Sequence, residues 1–473
     1  MRIFARRDWV RSLSHFTKTI QWLALLALCG CAGAFTSAPA APGISGGAPA
    51  SAHRLLGAQP AAGASERAPE GLSAIPAPLG AIPAPLSAFP SLGQPSAASA
   101  YALCALQGIQ SLLPTAPSPG PLPSAGCNAR VRTDVALLPA STPAFLLTGM
   151  LPGWIADIYK LPAINTASGA NSTVALIVAY DDPAAEADLA VYRNTFGLPP
   201  CTSKNGCFMK IAQDGSAHYP AFDQGWAVEA STDLDTVSAV CPGCKLMLVE
   251  AASSNIPDLA AAVDMAAASG ATVISNSYGA PEASDNVQYD SHYNHPGVAI
   301  VASAGDQGYG VMFPASSEYV IAVGGTSLYQ SLGGISEVAW PQTNSGCSAF
   351  IAKPNWQHDS GCSKRTMNDV AVVGDPSTGM AVYDSVLRGT SGGWTVIGGT
   401  SIGSPIVSAI IAMSAHPSHY AGAQQLYSHA SNFFDIDSGT NGSCATAYLC
   451  TAGPGFDGPT GLGAPNGNQA FNS

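Results

Sequence analysis

The sequence is poor in charged residues: Asp, Glu, Lys and Arg make up 10% of its 473 residues, against roughly 25% in an average soluble domain. The formal net charge is -12. Five of the eighteen basic residues fall in the first eighteen positions: Arg2, Arg6, Arg7, Arg11 and Lys18. The remaining chain is therefore more acidic still, which argues against nucleic acid as a partner. Because there are few carboxylates to protonate, we expect acid to generate little self-repulsion.

A long apolar segment near the N-terminus is also missing. The apolar run Leu23–Leu28 is too short for a permanent transmembrane helix, and its basic flank and following small residues predict an export signal over residues 1–34. The signal can be processed in two ways: by cleavage after Ala34, or by processing before Cys31 with lipidation of that cysteine. We expect an exported protein, extracellular or periplasmic, without a transmembrane span when mature and tethered to a membrane only if Cys31 is lipidated.

The cysteine pattern lacks a second Cys-x-x-Cys pair to complete a zinc site with Cys241 and Cys244. A redox motif is the alternative to a structural bridge there, and we favour the bridge. Twelve cysteines indicate an oxidising destination, and close spacing predicts small local disulfide loops. The ten cysteines beyond the signal are Cys104, Cys127, Cys201, Cys207, Cys241, Cys244, Cys347, Cys362, Cys444 and Cys450.

Four regions follow from composition. After the signal, residues 35–100 are rich in Pro and Ala and predict a disordered, polyproline-like linker. Residues 101–148 form a short neck, and 149–473 form one α/β domain with a mostly parallel sheet flanked by helices. Apolar strands are predicted at 173–180, 246–249, 272–275, 299–302 and 319–323, with helices around 257–268 and at 406–413.

Ser401 lies in the glycine-rich turn Gly398–Pro405, just before an apolar helix. Its hydroxyl is expected to be exposed there, with the free N–H groups of the helix N-terminus available to a developing oxyanion. The chain offers acids to activate this serine. Glu229 and Asp233 are four residues apart and share one helical face, and Asp306 follows a buried strand. Taken separately, a solvated acidic face and an ordinary Asp turn are the simpler interpretations of these acids.

Taken in order, these segments resemble the sedolisins, the serine-carboxyl peptidases with a subtilisin-like fold, over roughly residues 149–473. The resemblance also includes Ala179–Pro183, Tyr192–Pro199, Phe313–Ser317, Ala322–Thr326 and Lys353–Gln357. It implies a serine-type endopeptidase that forms an acyl-enzyme on Ser401, with Glu229 as general base, Asp233 orienting it and Asp306 supporting the oxyanion. Protein or peptide substrates, a monomer and an acidic pH optimum are the corresponding expectations.

The resemblance also implies one Ca²⁺ site. Asp435 and Asp457 would supply carboxylates, and Ile436, Gly453 and Gly455 would supply carbonyls, all hard oxygen ligands suited to calcium. The pattern by itself favours an Asp/Gly-rich turn. Cys444 and Cys450 are expected to close the insertion between the two halves of this site.

Ser277, Tyr278 and Gly279 resemble the family's segment that lines the substrate cleft. A tyrosine after a strand, however, more often serves packing than recognition.

The sequence leaves three alternative interpretations. Gly399–Gly403 fits the G-x-S-x-G elbow of α/β-hydrolases, but no histidine follows Asp435, the first acid after Ser401, so an esterase has the wrong residue order. A histidine-based subtilisin fails because no His-Gly-Thr-His segment exists. A catalytically silent binding protein on the same scaffold is the third.

The chain departs from the family in one respect. Sedolisins usually carry a folded propeptide, and only residues 101–148 remain for one here. A short strand beginning near Cys127 and tied to Cys104 is expected there.

Overall fold

The computed structural model describes residues 52–53, 100–102, 104, 122–162, 167–331, 334–387 and 392–472. The predicted export signal, Cys31 and nearly all of the Pro/Ala-rich linker lie outside these residues. Within the described residues, no helix is both long and apolar enough to cross a membrane. The division into signal, linker, neck and peptidase-like domain stays a prediction.

A nine-stranded, mostly parallel sheet forms the centre of the fold. Six parallel strands stand in the spatial order β12, β10, β8, β5, β7, β6, and β16 joins them parallel to β12. The hairpin partner β13 and the short β1 extend one edge in antiparallel fashion. These strands are β1 (Ala52–His53), β5 (Thr173–Ala179), β6 (Phe208–Ala212), β7 (Lys245–Ala251), β8 (Val273–Asn276), β10 (Ala299–Ser303), β12 (Ile321–Ser331), β13 (Gly334–Ala339) and β16 (Val370–Val373).

The remaining strands form smaller sheets. Two of these, β3–β9–β11 and β2–β4–β18–β17, contain strands that border the site described below. The strands outside the central sheet are β2 (Ala100–Ala102), β3 (Gly126–Cys127), β4 (Arg130–Arg132), β9 (Tyr278–Pro281), β11 (Met312–Phe313), β14 (Gly346–Ala352), β15 (Lys364–Met367), β17 (Met380–Asp384), β18 (Gly393–Gly398), β19 (Phe433–Phe434) and β20 (Ala464–Pro465).

Helices α3, α4 and α6 pack against the parallel strands, and α3 also packs against α6. Both α3 and α6 are buried along almost their whole length, α6 without any charged side chain and α3 with three buried carboxyl groups, those of Glu229, Asp233 and Asp235. The predicted α/β fold is confirmed. The α-helices are α1 (Trp154–Ile158), α2 (Ala185–Thr195), α3 (Gln224–Val240), α4 (Ile256–Ala268), α5 (Ser284–Val287), α6 (Thr400–Ala412) and α7 (Gln424–Ser428).

Two predicted boundaries differ from the structure. The helix expected at 406–413 begins six residues earlier, at Thr400, because Gly403 and Pro405, which read as helix breakers, are accommodated inside a buried helix. The strand expected at 319–323 begins at Ile321 and continues to Ser331, since it extends past the sheet to pair with β13.

All ten cysteines named above form local disulfides. The Cys241–Cys244 bond has both cysteines buried, so the expected structural bridge is confirmed. Cys444–Cys450 closes a small loop as expected. Cys104 is bonded to Cys127, which confirms that the neck is tied back on itself. The other pairs are Cys201–Cys207 and Cys347–Cys362.

Candidate active site

Helix α3 carries Glu229 and Asp233 into the interior. Its first turn is capped by the Asp223 carboxylate, which accepts from the Trp226 N–H at 3.1 Å. Because residues four apart lie on one helical face, both acids point the same way, and both are fully buried. The simpler interpretation of these acids as a solvated face is therefore wrong: they are interior carboxyl groups.

Ser401 lies against the first of these acids. Its Oγ donates a hydrogen bond to Glu229 Oε2 at 2.7 Å. Asp233 Oδ1 accepts from Ser277 Oγ at 2.6 Å, and Ser277 Oγ also lies 3.2 Å from the Ser401 carbonyl. Burial, and for Glu229 also repulsion by Asp233, raises the pKa of both acids well above their ordinary values. The pair therefore favours neutral or singly charged states at acidic pH.

Asp306 approaches the same serine from the end of β10. Its Oδ1 accepts from the Thr400 N–H and from Thr400 Oγ1, both at 2.8 Å, so it is bound to the residue preceding Ser401. Its Oδ2 accepts from Arg130 Nε at 3.0 Å. Burial raises the pKa of Asp306, while the Arg130 charge and the Thr400 hydrogen bonds oppose that rise. An ion pair with Arg130 favours the charged carboxylate.

The three residues predicted to bind substrate border the site mainly through their backbone. The Ser277 hydroxyl donates its hydrogen bond to Asp233 Oδ1. The Tyr278 side chain is fully buried and its hydroxyl bonds to Asn276 Oδ1 and Tyr293, which is a packing role. Tyr278 and Gly279 in β9 present a backbone edge that pairs with β3. Substrate binding by these residues stays a prediction.

Comparison with known proteins shows which chains this one is similar to. The subtilase (peptidase S8) family model matches residues 225–437. Kumamolisin from Bacillus sp. (strain MN-32) is 30% identical over 364 residues, covering 68% of this chain and 62% of kumamolisin. The structure of Pseudomonas sedolisin, a serine-carboxyl proteinase, aligns with 28% identity and a TM-score of 0.57, covering 67% of this chain and 95% of that one.

The chain belongs to the sedolisin family. Its fold is the subtilisin-like α/β fold that the sequence predicts. Sedolisin from Pseudomonas sp. (strain 101) is a further relative, 35% identical over 177 residues, which cover 33% of this chain and 29% of that protein. The chain thus spans less than two thirds of the length of the curated relatives it matches first.

Four predicted catalytic residues meet in this sedolisin-family chain: Glu229, Asp233, Asp306 and Ser401. Sequence reasoning missed three neighbours, Thr400, Ala129 and Arg130. Thr400 could have been noticed because its hydroxyl precedes the serine. The Ala129 N–H donates to Glu229 Oε2 at 2.9 Å, a backbone contact that no residue type signals. Arg130 could have been noticed as one of the few basic residues in a charge-poor chain.

The residues predicted to bind calcium also come together. Asp435 Oδ2 accepts from the Gly455 N–H at 2.8 Å, and Asp457 Oδ2 accepts from the Gly453 N–H at 3.0 Å. Both carboxylates therefore reach the same glycine turn. Across the described part of the chain, no cluster of three or more His, Cys, Asp or Glu side chains could hold a metal. Any ion here would depend on two carboxylates and on carbonyls, a donor set of hard oxygens that fits Ca²⁺.

Proposed function

We propose that the chain is an exported, acid-active serine-carboxyl endopeptidase that hydrolyses peptide bonds through an acyl-enzyme on Ser401. The observation that carries this proposal is the 2.7 Å hydrogen bond from Ser401 Oγ to Glu229 Oε2. It joins a nucleophile to a base at the distance that proton transfer requires.

Glu229 takes the Ser401 proton while Oγ attacks the carbonyl carbon of the substrate. The same carboxyl group then returns that proton to the departing amine, and water hydrolyses the acyl-enzyme by the reverse order of steps. Asp233 acts on Glu229 through its nearby charge and is held in place by Ser277.

Asp306 supports the tetrahedral state by donating a hydrogen bond to the oxyanion. It can donate only while protonated, as buried carboxylic acids can be. Its Oδ1 accepts hydrogen bonds from Thr400. The proton is therefore carried by Oδ2, which requires that the ion pair between Oδ2 and Arg130 is broken. This requirement, together with a carboxylate rather than a histidine as base, favours activity in acid.

One Ca²⁺ would be held by the carboxylates of Asp435 and Asp457 and the carbonyls of Ile436, Gly453 and Gly455. Its chemistry there is structural: it neutralises two acids and fixes the C-terminal loop. The five local disulfides fit export to an oxidising compartment. Proteins or peptides are the proposed substrates, and a monomer is the proposed state.

The test is casein hydrolysis at pH 3 to 5 by the full chain after preincubation in acid, with Ser401→Ala as its matched control. Mutation of such a nucleophile lowers kcat by roughly 10⁶-fold, so the variant is expected to be inactive. Equal activity of both proteins would end the peptidase proposal. A parent protein that binds peptides but never cleaves them would favour the silent binding protein.

A further inference from the structure

A cavity that none of the four proposed catalytic residues lines is walled by aromatic side chains. Its volume is about 820 Å³, within the size range of ligand-binding pockets. We call it the aromatic pocket. A partly exposed, contiguous apolar surface of this kind is the usual mark of a binding site. Its apolar lining consists of Trp356, Tyr427, Tyr448, Phe456 and Leu462, each partly exposed.

Three of the rings form one wall of the pocket. Trp356 comes from the loop between β14 and β15, Tyr427 from α7, and Phe456 from the glycine turn near the C-terminus. The ring centroids of Trp356 and Tyr427 are 4.6 Å apart, and those of Tyr427 and Phe456 are 5.9 Å apart. The wall can therefore extend over roughly the length of one polyproline II turn, in which three residues advance about 9 Å.

Hydrogen bonds inside the protein hold the two tyrosine rings in place. The Tyr427 hydroxyl donates to Asp369 Oδ1 at 3.0 Å, and the Tyr448 hydroxyl donates to Asp359 Oδ2 at 2.5 Å. Gln357 Nε2 donates to the Tyr427 hydroxyl at 3.0 Å. Because the polar ends of both rings are bound within the protein, their carbon atoms are left to line the cavity.

The charged groups around the aromatic pocket are paired within the protein. Arg365 Nη2 lies 2.6 Å from Asp369 Oδ2, and both side chains are fully buried. Lys353 Nζ lies 2.5 Å from Asp359 Oδ1, and Asp359 is the one carboxylate among the described residues of the lining. A charged ligand would find no unpaired buried charge there, so the lining favours an uncharged one.

The edge of the pocket carries side chains that can donate hydrogen bonds. His358, Ser360, Gln424 and Ser428 line it and are exposed. A polyproline II segment has no internal hydrogen bonds, so its carbonyl groups are free to accept from such donors. Aromatic walls with donors beside them are the binding mode by which proteins recognise proline-rich segments. The pocket therefore fits an uncharged, proline-rich peptide.

The chain itself contains such a peptide. Residues 74–79 and residues 81–86 have the same sequence, AIPAPL, which carries no charge. In a polyproline II helix, residues three apart share one face, so Ile75 and Pro78 would point to the same side. Each copy can thus present two apolar side chains one turn apart, a spacing that suits the aromatic wall.

The length of the intervening chain allows this peptide to reach the pocket. Residues 80–99 separate the first copy from β2, which begins at Ala100. Twenty residues span about 60 Å when extended, whereas a domain of about 350 residues has a radius of gyration of about 20 Å and a width of roughly 50 Å. Tethering also keeps the effective concentration of the peptide in the millimolar range, so even weak binding would fill the pocket.

We propose that the aromatic pocket is a polyproline-binding site for this chain's own linker, occupied by residues 74–79 or 81–86. The prolines lie against the wall of Trp356, Tyr427 and Phe456, and the carbonyl groups accept from the donors at the edge. Proline-rich segments lose little backbone entropy on binding because their backbone is already restricted. This inference does not depend on the proposed peptidase function, since it involves neither Ser401 nor its acids.

The test uses the full chain carrying Ser401→Ala and a fluorescently labelled synthetic peptide of residues 73–87, titrated by fluorescence anisotropy. We expect the peptide to bind a glycine-linker chain roughly tenfold more tightly than it binds the parent, because the tethered linker of the parent competes at millimolar effective concentration. The same peptide with glycine at its four proline positions should not bind. The glycine-linker chain carries Pro76→Gly, Pro78→Gly, Pro83→Gly and Pro85→Gly.

Variants of the glycine-linker chain locate the site. Trp356→Ala removes part of the wall, whereas Ser428→Trp fills the pocket from its exposed edge and leaves the wall intact. Each is expected to weaken peptide binding by roughly tenfold or more. Phe222→Ala is the matched control, because Phe222 is 50% exposed and lies outside the pocket, and it should leave the affinity unchanged. Thermal melts confirm that each variant folds.

Four results would overturn the proposal. If the glycine-linker chain does not bind the peptide, the pocket is not a polyproline site. If binding survives both Trp356→Ala and Ser428→Trp, the peptide binds elsewhere. Equal affinity for the parent and the glycine-linker chain would show that the linker leaves the pocket free. A parent that dimerises in sedimentation while the glycine-linker chain stays monomeric would show that the linker docks on a second copy.

Discussion

Replacing Asp384 by Asn should change how the stability of this protein depends on pH. Asp384 ends β17 and is fully buried, with Oδ1 accepting from the Val386 N–H at 2.7 Å. Burial, reinforced by the nearby charge of Asp188, raises the pKa of Asp384 from 3.8 to about 6. Because the folded-state pKa is the higher one, the stabilisation is complete below pH 3.8 and is lost as pH rises through about 6.

The size of this effect follows from the pKa difference. Each pH unit corresponds to about 1.4 kcal/mol, so ionisation of Asp384 costs the folded state about 3 kcal/mol by pH 8. Asn is uncharged at every pH and has nearly the same shape. The fall in unfolding free energy between pH 4 and pH 8 should therefore be smaller in Asp384→Asn than in the parent by up to about 3 kcal/mol.

Urea unfolding measures this difference, carried out on Ser401→Ala background protein so that self-digestion does not interfere. Asp285→Asn, at an exposed position in α5, serves as the control and should follow the parent at both pH values. Parallel pH dependence in the parent and Asp384→Asn would refute the reasoning, because Asp384 would then ionise equally easily in the folded and unfolded chain.

Three further predictions concern the site and the calcium loop. Asp306→Ala should lower kcat of the acid-treated enzyme by roughly 10²–10³-fold with a small change in KM; an unchanged kcat would remove Asp306 from the oxyanion site. Asp233→Asn removes a charge that raises the pKa of Glu229, so the acidic limb of the kcat/KM profile should move to lower pH, and an unmoved limb would contradict the coupling. Chelation of calcium should lower the melting temperature of Ser401→Ala protein but not of the same protein carrying Asp435→Asn; equal shifts would argue against this loop as the binding site.

The sequence predicts β5, β7, β8, β10 and β12 of the central sheet because most of their residues are buried and therefore appear as apolar runs, whereas β6 and β13, which contain partly exposed residues, are not predicted. Thr173–Ala179 in β5 and Ala299–Ser303 in β10 fall within one residue of expectation. Helix α6 is predicted too short, since burial in the core overrides the local preferences of Gly403 and Pro405. Short strands such as β3 and β4 depend on pairing partners far away in sequence, which local pattern cannot supply.

The candidate site is likewise only partly predictable from the sequence. Glu229, Asp233, Asp306 and Ser401 are recognisable because their residue types and order match a known family. The roles of Ala129 and Arg130 depend on how the neck folds back over the site. The expected link between Cys104 and Cys127 is the one sequence feature that indicated this path of the chain. The ion pair between Arg130 and Asp306 joins residues 176 positions apart, a relation that composition and spacing do not encode.

The central claim, that Glu229 makes the Ser401 hydroxyl reactive, is tested most directly by trapping the acyl-enzyme. Acid-treated protein is mixed with a slowly hydrolysed nitrophenyl ester at pH 4, quenched, and digested for tandem mass spectrometry. We predict one acyl group on Ser401, with the acylation rate lowered by roughly 10²–10⁴-fold in Glu229→Gln. An acyl group on another residue, or unchanged acylation in Glu229→Gln, would contradict the mechanism.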